Sequence, residues 1–301
     1  MPDVHLRLED DSAPAFAAKV VEILNSALAS ASSPTSPAEA ATALDGLCSK
    51  DYAEQGTAGS FLWWFWDLVH DLARQLPHDS PQQDRLAALI KALHDLTPKT
   101  VKLGDDWGSG GEDLVALWTG LPMFGNTFRE KLDDGDARAS SETQRKERRV
   151  NLQAYAARVA GLSLVPMEMY AIWALVDALE GTMTPVRGAP DEVDPDPAAV
   201  EDVSPKVACA AAWIVHAGHV LHGRDEEVHG ATSGPLWRLD KKEAIKQRRR
   251  LKGTNGLCPQ RWQLWKERFA AVRDADGVDD LARKEAGAAF ARMEEIENAK
   301  K

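Results

Sequence analysis

At 301 residues the chain can hold one large domain or two small ones, and 44% hydrophobic with 28% charged residues is ordinary for a globular protein. Forty-seven acidic against 36 basic residues give a formal net charge of −11, which argues against general nucleic-acid binding. Three scattered cysteines, Cys48, Cys209 and Cys258, supply neither a disulfide framework nor zinc spacing and point to a reducing cytosol.

The leading residues, MPDVHLRLEDD, lack the basic and then apolar regions of a signal peptide. No apolar run reaches the ~18 residues of a transmembrane helix, so no membrane association is expected. Pro14 to about Ala29 reads as an amphipathic helix with Phe16, Val20, Ile23, Leu24 and Leu28 on one side. A Ser/Pro stretch over 30–37 is expected to be a flexible loop. Ser36-Pro37-Ala38-Glu39 is a capping box that opens the next helix.

Ser60 to Leu76, SFLWWFWDLVHDLARQL, is the central helix. Phe61, Leu62, Phe65, Leu68, Val69, Leu72 and Leu76 form one broad stripe at 100° per residue. Trp63 and Trp64 lie toward the opposite side, beside Asp67, His70, Asp71 and Arg74. A helix apolar almost all round in its first half belongs in a core, and its polar groups then need partners or a ligand.

Ser80-Pro81-Gln82-Gln83 is a second capping box, followed by leucines at helical period from Leu86 to Leu96. Gly104–Gly111 is glycine-rich around Trp107. Its acids and its lack of a P-loop lysine argue against a phosphate cradle. Glu112–Thr119 is expected to be a short helix, and a polar segment leads to Ser141, which caps a long helix to about Gly161. Met167–Glu180 is an aromatic helix. Residues 184–202 and 224–257 are expected to be flexible loops. Helices follow at Ser204 to Gly223, Pro259–Val272 and in a tail over 279–301. With no sustained period-2 alternation, the expectation is an all-α protein of roughly eight to ten helices. They would form a single domain over 1–301, as a globular bundle or a curved stack of helix pairs.

Four segments carry a family resemblance: PHDSPQQDRLAALIKAL, LWTGLPMFGNTFREKLDD, VNLQAYAARVAG with YAIWALVDALEG, and AAAWIVHAGHVLH. In this order the chain resembles, over about residues 61–269, a fungal family of intracellular, mostly helical proteins catalogued as a domain of unknown function. The resemblance implies a fungal, soluble, helical protein and brings no activity, cofactor or catalytic residue with it. A tryptophan expected before Asn151 is replaced by Arg148-Arg149-Val150.

Three constellations carry candidate chemistry. Trp63 with Asp67, and Trp173 with Asp177 beside Tyr170, each place an indole and a carboxylate four residues apart on one helix face. Tryptophan walls with carboxylates at hand suit an amine or other cation, and acid–base work if burial raises a carboxylate pKa. The plain alternative makes the tryptophans core and pairs the aspartates with Arg74, Arg85 or Arg158.

His216, His219 and His222 form a stripe that could share a metal, but no carboxylate-bearing metal motif accompanies them, so no metal or cofactor is assigned. Gly218 within that helix suggests a close approach by another helix or a ligand. The basic run Lys241–Lys252 reads as a solvated charged surface or as a nuclear-import address. Asp133-Asp134-Gly135-Asp136 only loosely resembles the aspartate-rich motifs of helical terpenoid enzymes.

The leading expectation is a cytoplasmic, non-catalytic protein. It would bind a protein partner or a small apolar or cationic ligand through Trp63, Trp64, Trp118, Tyr170 and Trp173. The alternatives are a small-molecule enzyme of fungal specialised metabolism using Asp67, His70 and Asp177, and a metal protein using the histidine stripe.

Overall fold

Two serines set early helix boundaries. Ser36 and Glu39 form the full reciprocal capping box, with the Ser36 hydroxyl accepting from the Glu39 amide and the Glu39 carboxylate accepting from the Ser36 amide. Ser80 caps too, but accepts from the Gln82 amide. Gln83, expected to close that box, instead donates to the carbonyls of Leu76 and Asn151, because it is buried between helices.

The computed structural model describes residues 4–29, 35–107, 114–185, 192–238 and 254–299. It is all-α, as expected, apart from two small ribbons. Among the described residues no helix is long and apolar enough to cross a membrane. The chain divides into two compact units, Met1–Pro166 and Met167–Lys301.

In the first unit the helices are α1 (Ala17–Leu28), α2 (Pro37–Gln55), α3 (Gly59–Arg74), α4 (Pro81–His94), α5 (Phe124–Asp133) and α6 (Glu142–Gly161). Helix α3 packs on α2, α5 and α6, and α4 packs on α1, α2 and α6. Phe61, Leu62, Phe65, Trp66, Val69 and Leu72 of α3 are buried, so the predicted stripe faces the core with Trp66 added to it. Strands β1 (Thr100–Lys102) and β2 (Leu114–Ala116) pair antiparallel, with Val101 opposite Val115.

The helix expected over Glu112–Thr119 is therefore wrong where it is described: Leu114–Ala116 is a strand. Three residues a side are too short to show alternation, and the pairing partner is remote in sequence. Helix α5 goes beyond the sequence reading, which passes over it as a polar segment. It buries Phe124, Thr127, Phe128, Lys131 and Leu132 despite its interior Gly125 and Asn126.

In the second unit the helices described along their whole length are α7 (Glu168–Leu179), α8 (Val203–Leu221), α9 (Pro259–Asp274) and α10 (Asp280–Ala299). Helix α8 packs on α7 and α10, and α9 packs on α7 and α10. A Cβ on Gly218 would come 2.9 Å from Ile296 Cδ1, so the close approach signalled by that glycine is helix α10. Alanines Ala282, Ala286 and Ala289 let α10 lie near its neighbours. Strands β3 (Thr182–Thr184) and β4 (Glu192–Asp194) pair antiparallel, so the acidic segment after α7 begins as a hairpin.

Glu180 and Arg261, both without accessible surface, tie the segment after α8 to the helices. The Arg261 Nε donates to Glu180 at 2.7 Å, and its other nitrogens reach the carbonyls of Thr232, Asn255 and Gly256. Glu180 also accepts from the Trp265 indole and the Gly234 amide. The guanidinium carbon lies 5.1 and 5.7 Å from the Trp265 and Trp237 ring centroids. A charged pair this deep is tolerated because its bonding sites are filled.

Gly59 opens α3 where a Cβ would fall 2.2 Å from Trp107 Cδ1 and 2.4 Å from the Leu103 carbonyl oxygen. Because one of those neighbours is backbone, it cannot rotate away. Gly59→Ala is expected to destabilise the first unit by about 2 kcal/mol or more, the upper part of the overpacking range. Urea unfolding followed by circular dichroism measures it, and a loss below about 0.5 kcal/mol would contradict this packing.

Candidate functional site

Helix α3 presents its polar residues toward α5 and the turn that follows it. Asp71 is almost fully buried and receives Lys131 Nζ at 3.0 Å, Arg74 Nη1 at 3.2 Å and the Arg138 guanidinium. Lys131 also reaches Asp67 at 2.9 Å. Arg74 reaches Asp134 at 2.9 Å and Asp136 at 3.6 Å, while Asp136 pairs with Arg148. Burial pushes the Asp67 carboxyl above its ordinary range, against the opposing pull of Lys131. The cation at Asp67 is Lys131 rather than Arg74, Arg85 or Arg158. A recess of about 10 Å³ beside it, between Leu8, Trp64 and Asp71, has room for roughly one water.

His70 has no accessible surface. Its Nε2 lies 3.1 Å from the Phe124 carbonyl oxygen, which makes Nε2 the protonated nitrogen of a neutral ring. The rings of Phe124, Phe128 and Tyr155 lie within 5.9 Å of it, centroid to centroid. Burial lowers its pKa to about 3. A neutral imidazole enclosed by aromatic rings is core material. The sequence sets it beside Asp67 and Arg74 on the helix surface, but α5 and α6 cover that side of α3.

The tryptophans divide by environment. Trp118 is buried and donates from its indole to Asp45 at 2.7 Å, a bond that fixes β2's end to α2. Trp63 packs on Trp107 with ring centroids 5.1 Å apart. Trp64 is 37% exposed, unusual for so large an apolar side chain. It lines a groove of about 650 Å³ with Phe16, Leu47, Lys50, Asp51, Glu54 and Phe61 among its walls. Phe16 packs against Phe61 at 4.5 Å between centroids, giving the groove an aromatic wall.

Burial, and then the neighbouring Glu54, raise the Asp51 carboxyl above its usual range. Lys19 also lines the groove and bonds Glu22 at 2.8 Å. Phe16, Asp51 and Glu54 were outside the predicted site. Phe16 is marked in sequence only as part of the first helix's apolar side, and the two acids only by their i, i+3 spacing on α2.

In the second unit, Tyr170 and Trp173 pack edge-to-face at 5.5 Å, with Tyr170 buried. The Trp173 indole donates to the Gly230 carbonyl at 2.9 Å, and Asp177 is exposed. His216 and His222 are half-buried and His219 is exposed. The His222 ring rests against Trp262 at 4.8 Å. Among the described residues no three His, Cys, Asp or Glu side chains are grouped to hold a metal. The basic run Lys241–Lys252 lies outside the described residues. All three cysteines are buried, and burial raises the Cys48 thiol to about 12.

The depressed His70 pKa links stability to pH. The unfolded ring binds a proton below about 6.5 and the folded one below about 3, so the stabilisation is complete above 6.5 and is lost as pH falls toward 3. At about 1.36 kcal/mol per unit, this one residue costs about 2 kcal/mol at pH 5. His70→Gln keeps a donor for the Phe124 carbonyl without titrating. Its urea-unfolding free energy is expected to fall less than the wild type's between pH 7 and pH 5. Parallel curves would show that His70 is not held neutral.

No curated protein matches the chain. A family model described as a protein of unknown function (DUF3632) matches residues 66–269, from the indole that completes the α3 core to the phenylalanine at the centre of α9. The match covers the buried ionic cluster, the aromatic enclosure of His70 and the Glu180–Arg261 tie, and stops short of α1 and α2 at the groove. The chain belongs to this family of unknown function (DUF3632).

Proposed function

We propose that this protein is a non-catalytic binding protein whose ligand is a small organic cation with an apolar body, held in the groove beside Trp64. The observation that carries the reading is the exposed Trp64 indole in a groove with an aromatic wall and two neighbouring carboxylates. An ammonium group over an indole gains cation–π attraction of roughly 0.5–2 kcal/mol, more as water is excluded. Asp51 and Glu54 repel each other, and a cation between them relieves that repulsion. Lys19 and Lys50 on the same groove disfavour a polycation, so a single charge on an aromatic or aliphatic body fits best. The proposed setting is the cytoplasm of a fungal cell. Three cysteines scattered along the sequence, too few and too far apart for a disulfide framework, support the cytoplasm, and the resemblance noted from the sequence supports the fungal cell.

Benzylammonium and benzyl alcohol test the reading as a pair of nearly equal shape. Isothermal titration is expected to show saturable benzylammonium binding and none for the alcohol. Trp64→Ala should weaken binding about tenfold, the loss of ~1.4 kcal/mol, and Asp51→Asn by a smaller factor. Equal affinity for the alcohol, or no effect of Trp64→Ala, would remove the groove as a cation site.

A further inference from the structure

Residues 4–10 belong to no helix or strand, and among the described residues no strand pairs with them. Three side-chain amides hold their backbone instead. Gln82 accepts from the Val4 amide at 2.7 Å and donates to its carbonyl at 2.9 Å. Asn25 does the same for Leu6 at 2.8 and 3.0 Å, and Gln75 for Arg7 at 2.9 and 2.8 Å. Leu6 is buried. Two acids then fasten the end of the segment. Glu9 accepts from both terminal nitrogens of Arg148 at 3.1 and 2.8 Å, and Asp10 accepts from Arg138 at 3.3 Å. Asp10 also accepts from the amide and hydroxyl of Ser12, turning the chain toward α1.

This segment runs into the proposed groove. Pro14, Ala15 and Phe16 form one of its walls. Leu8, Asp10 and Pro14 stand with Trp64 around the small recess, so the segment shields one side of the indole while the groove opens on another. We propose that residues 4–16 act as a latch on the groove: the Glu9–Arg148 and Asp10–Arg138 contacts hold the wall carrying Phe16 against Phe61, and loss of those contacts opens the groove. The claim about ligand affinity rests on the groove being a cation site; the mechanical claim does not.

The cations are built to survive release. Arg148 keeps Asp136, and Arg138 keeps Asp71, when the two acids of the segment leave. The Glu9 and Asp10 side chains are about a quarter exposed, so salt competes with these two contacts more than with the Asp71 cluster. Ionic strength is therefore the expected control.

Glu9→Gln with Asp10→Asn, made in the full chain, tests the latch by residue-resolved hydrogen exchange. The amides of Leu6 and Arg7 are expected to exchange about tenfold faster than in the wild type. The amides of Ala17, Lys19 and Val20, which bond the carbonyls of Pro14 and Phe16, should quicken with them. Raising salt from about 0.05 to about 0.5 M on the wild type should do the same without any substitution.

Unchanged exchange at Leu6 and Arg7 under both treatments would overturn the ionic latch. Faster exchange there with no change at Ala17, Lys19 and Val20 would overturn its coupling to the groove wall. Benzylammonium affinity should drop severalfold in the double variant. If the wild type binds no benzylammonium, the cation-site reading fails and the exchange result still decides the latch.

Discussion

Helix α3 is surrounded, and that constraint organises the first unit. A helix with core on most of its circumference has little room for charge, yet α3 carries Asp67, Asp71 and Arg74 in two turns. Their desolvation is offset only by cations brought to them, and Lys131 and Arg138 arrive from α5 and the turn beyond it. Lys131 sits between Asp67 and Asp71, so it fixes the position of α5 against α3. Arg74 uses Asp71, Asp134 and the Lys131 carbonyl, so the same turn is held from both ends. Swapping such a network for apolar residues could leave stability unchanged, but removing one member leaves an uncompensated charge. Its contribution here is positional: it sets where α5 and the 134–138 turn lie.

Most of the fold was legible because helical signals are local. The Ser36 box, the α3 stripe and the glycine in α8 each describe their own neighbourhood, and each appears in the structure. What was not legible depends on remote partners. The β1–β2 ribbon needs two three-residue pieces to meet across an intervening loop. Helix α5 begins Phe124-Gly125-Asn126, poor helix formers that hide its apolar face until Phe124 and Phe128 are seen against His70.

The candidate site shows the same division. Periodicity separated Trp63 and Trp64 from the α3 core stripe, and Trp64 is indeed the exposed indole. It could not show that Trp118 is buried on Asp45, or that His70 is roofed by α5. Nor could it bring Phe16 from α1's start and Asp51 from α2 to the same groove. The residues of a groove come from several elements, and their sequence spacing carries no trace of that meeting.

The amide pairs along residues 4–7 have a bearing on self-association. A stretch of backbone with open hydrogen-bonding groups is a place where other chains can pair. Here the donors and acceptors of Val4, Leu6 and Arg7 are capped one residue at a time by Gln82, Asn25 and Gln75, all rooted on helices or their ends. A side-chain amide satisfies one residue and then stops; it offers no second edge for a further strand. The stretch is thereby kept from seeding a sheet, with no need of a proline among residues 4–7.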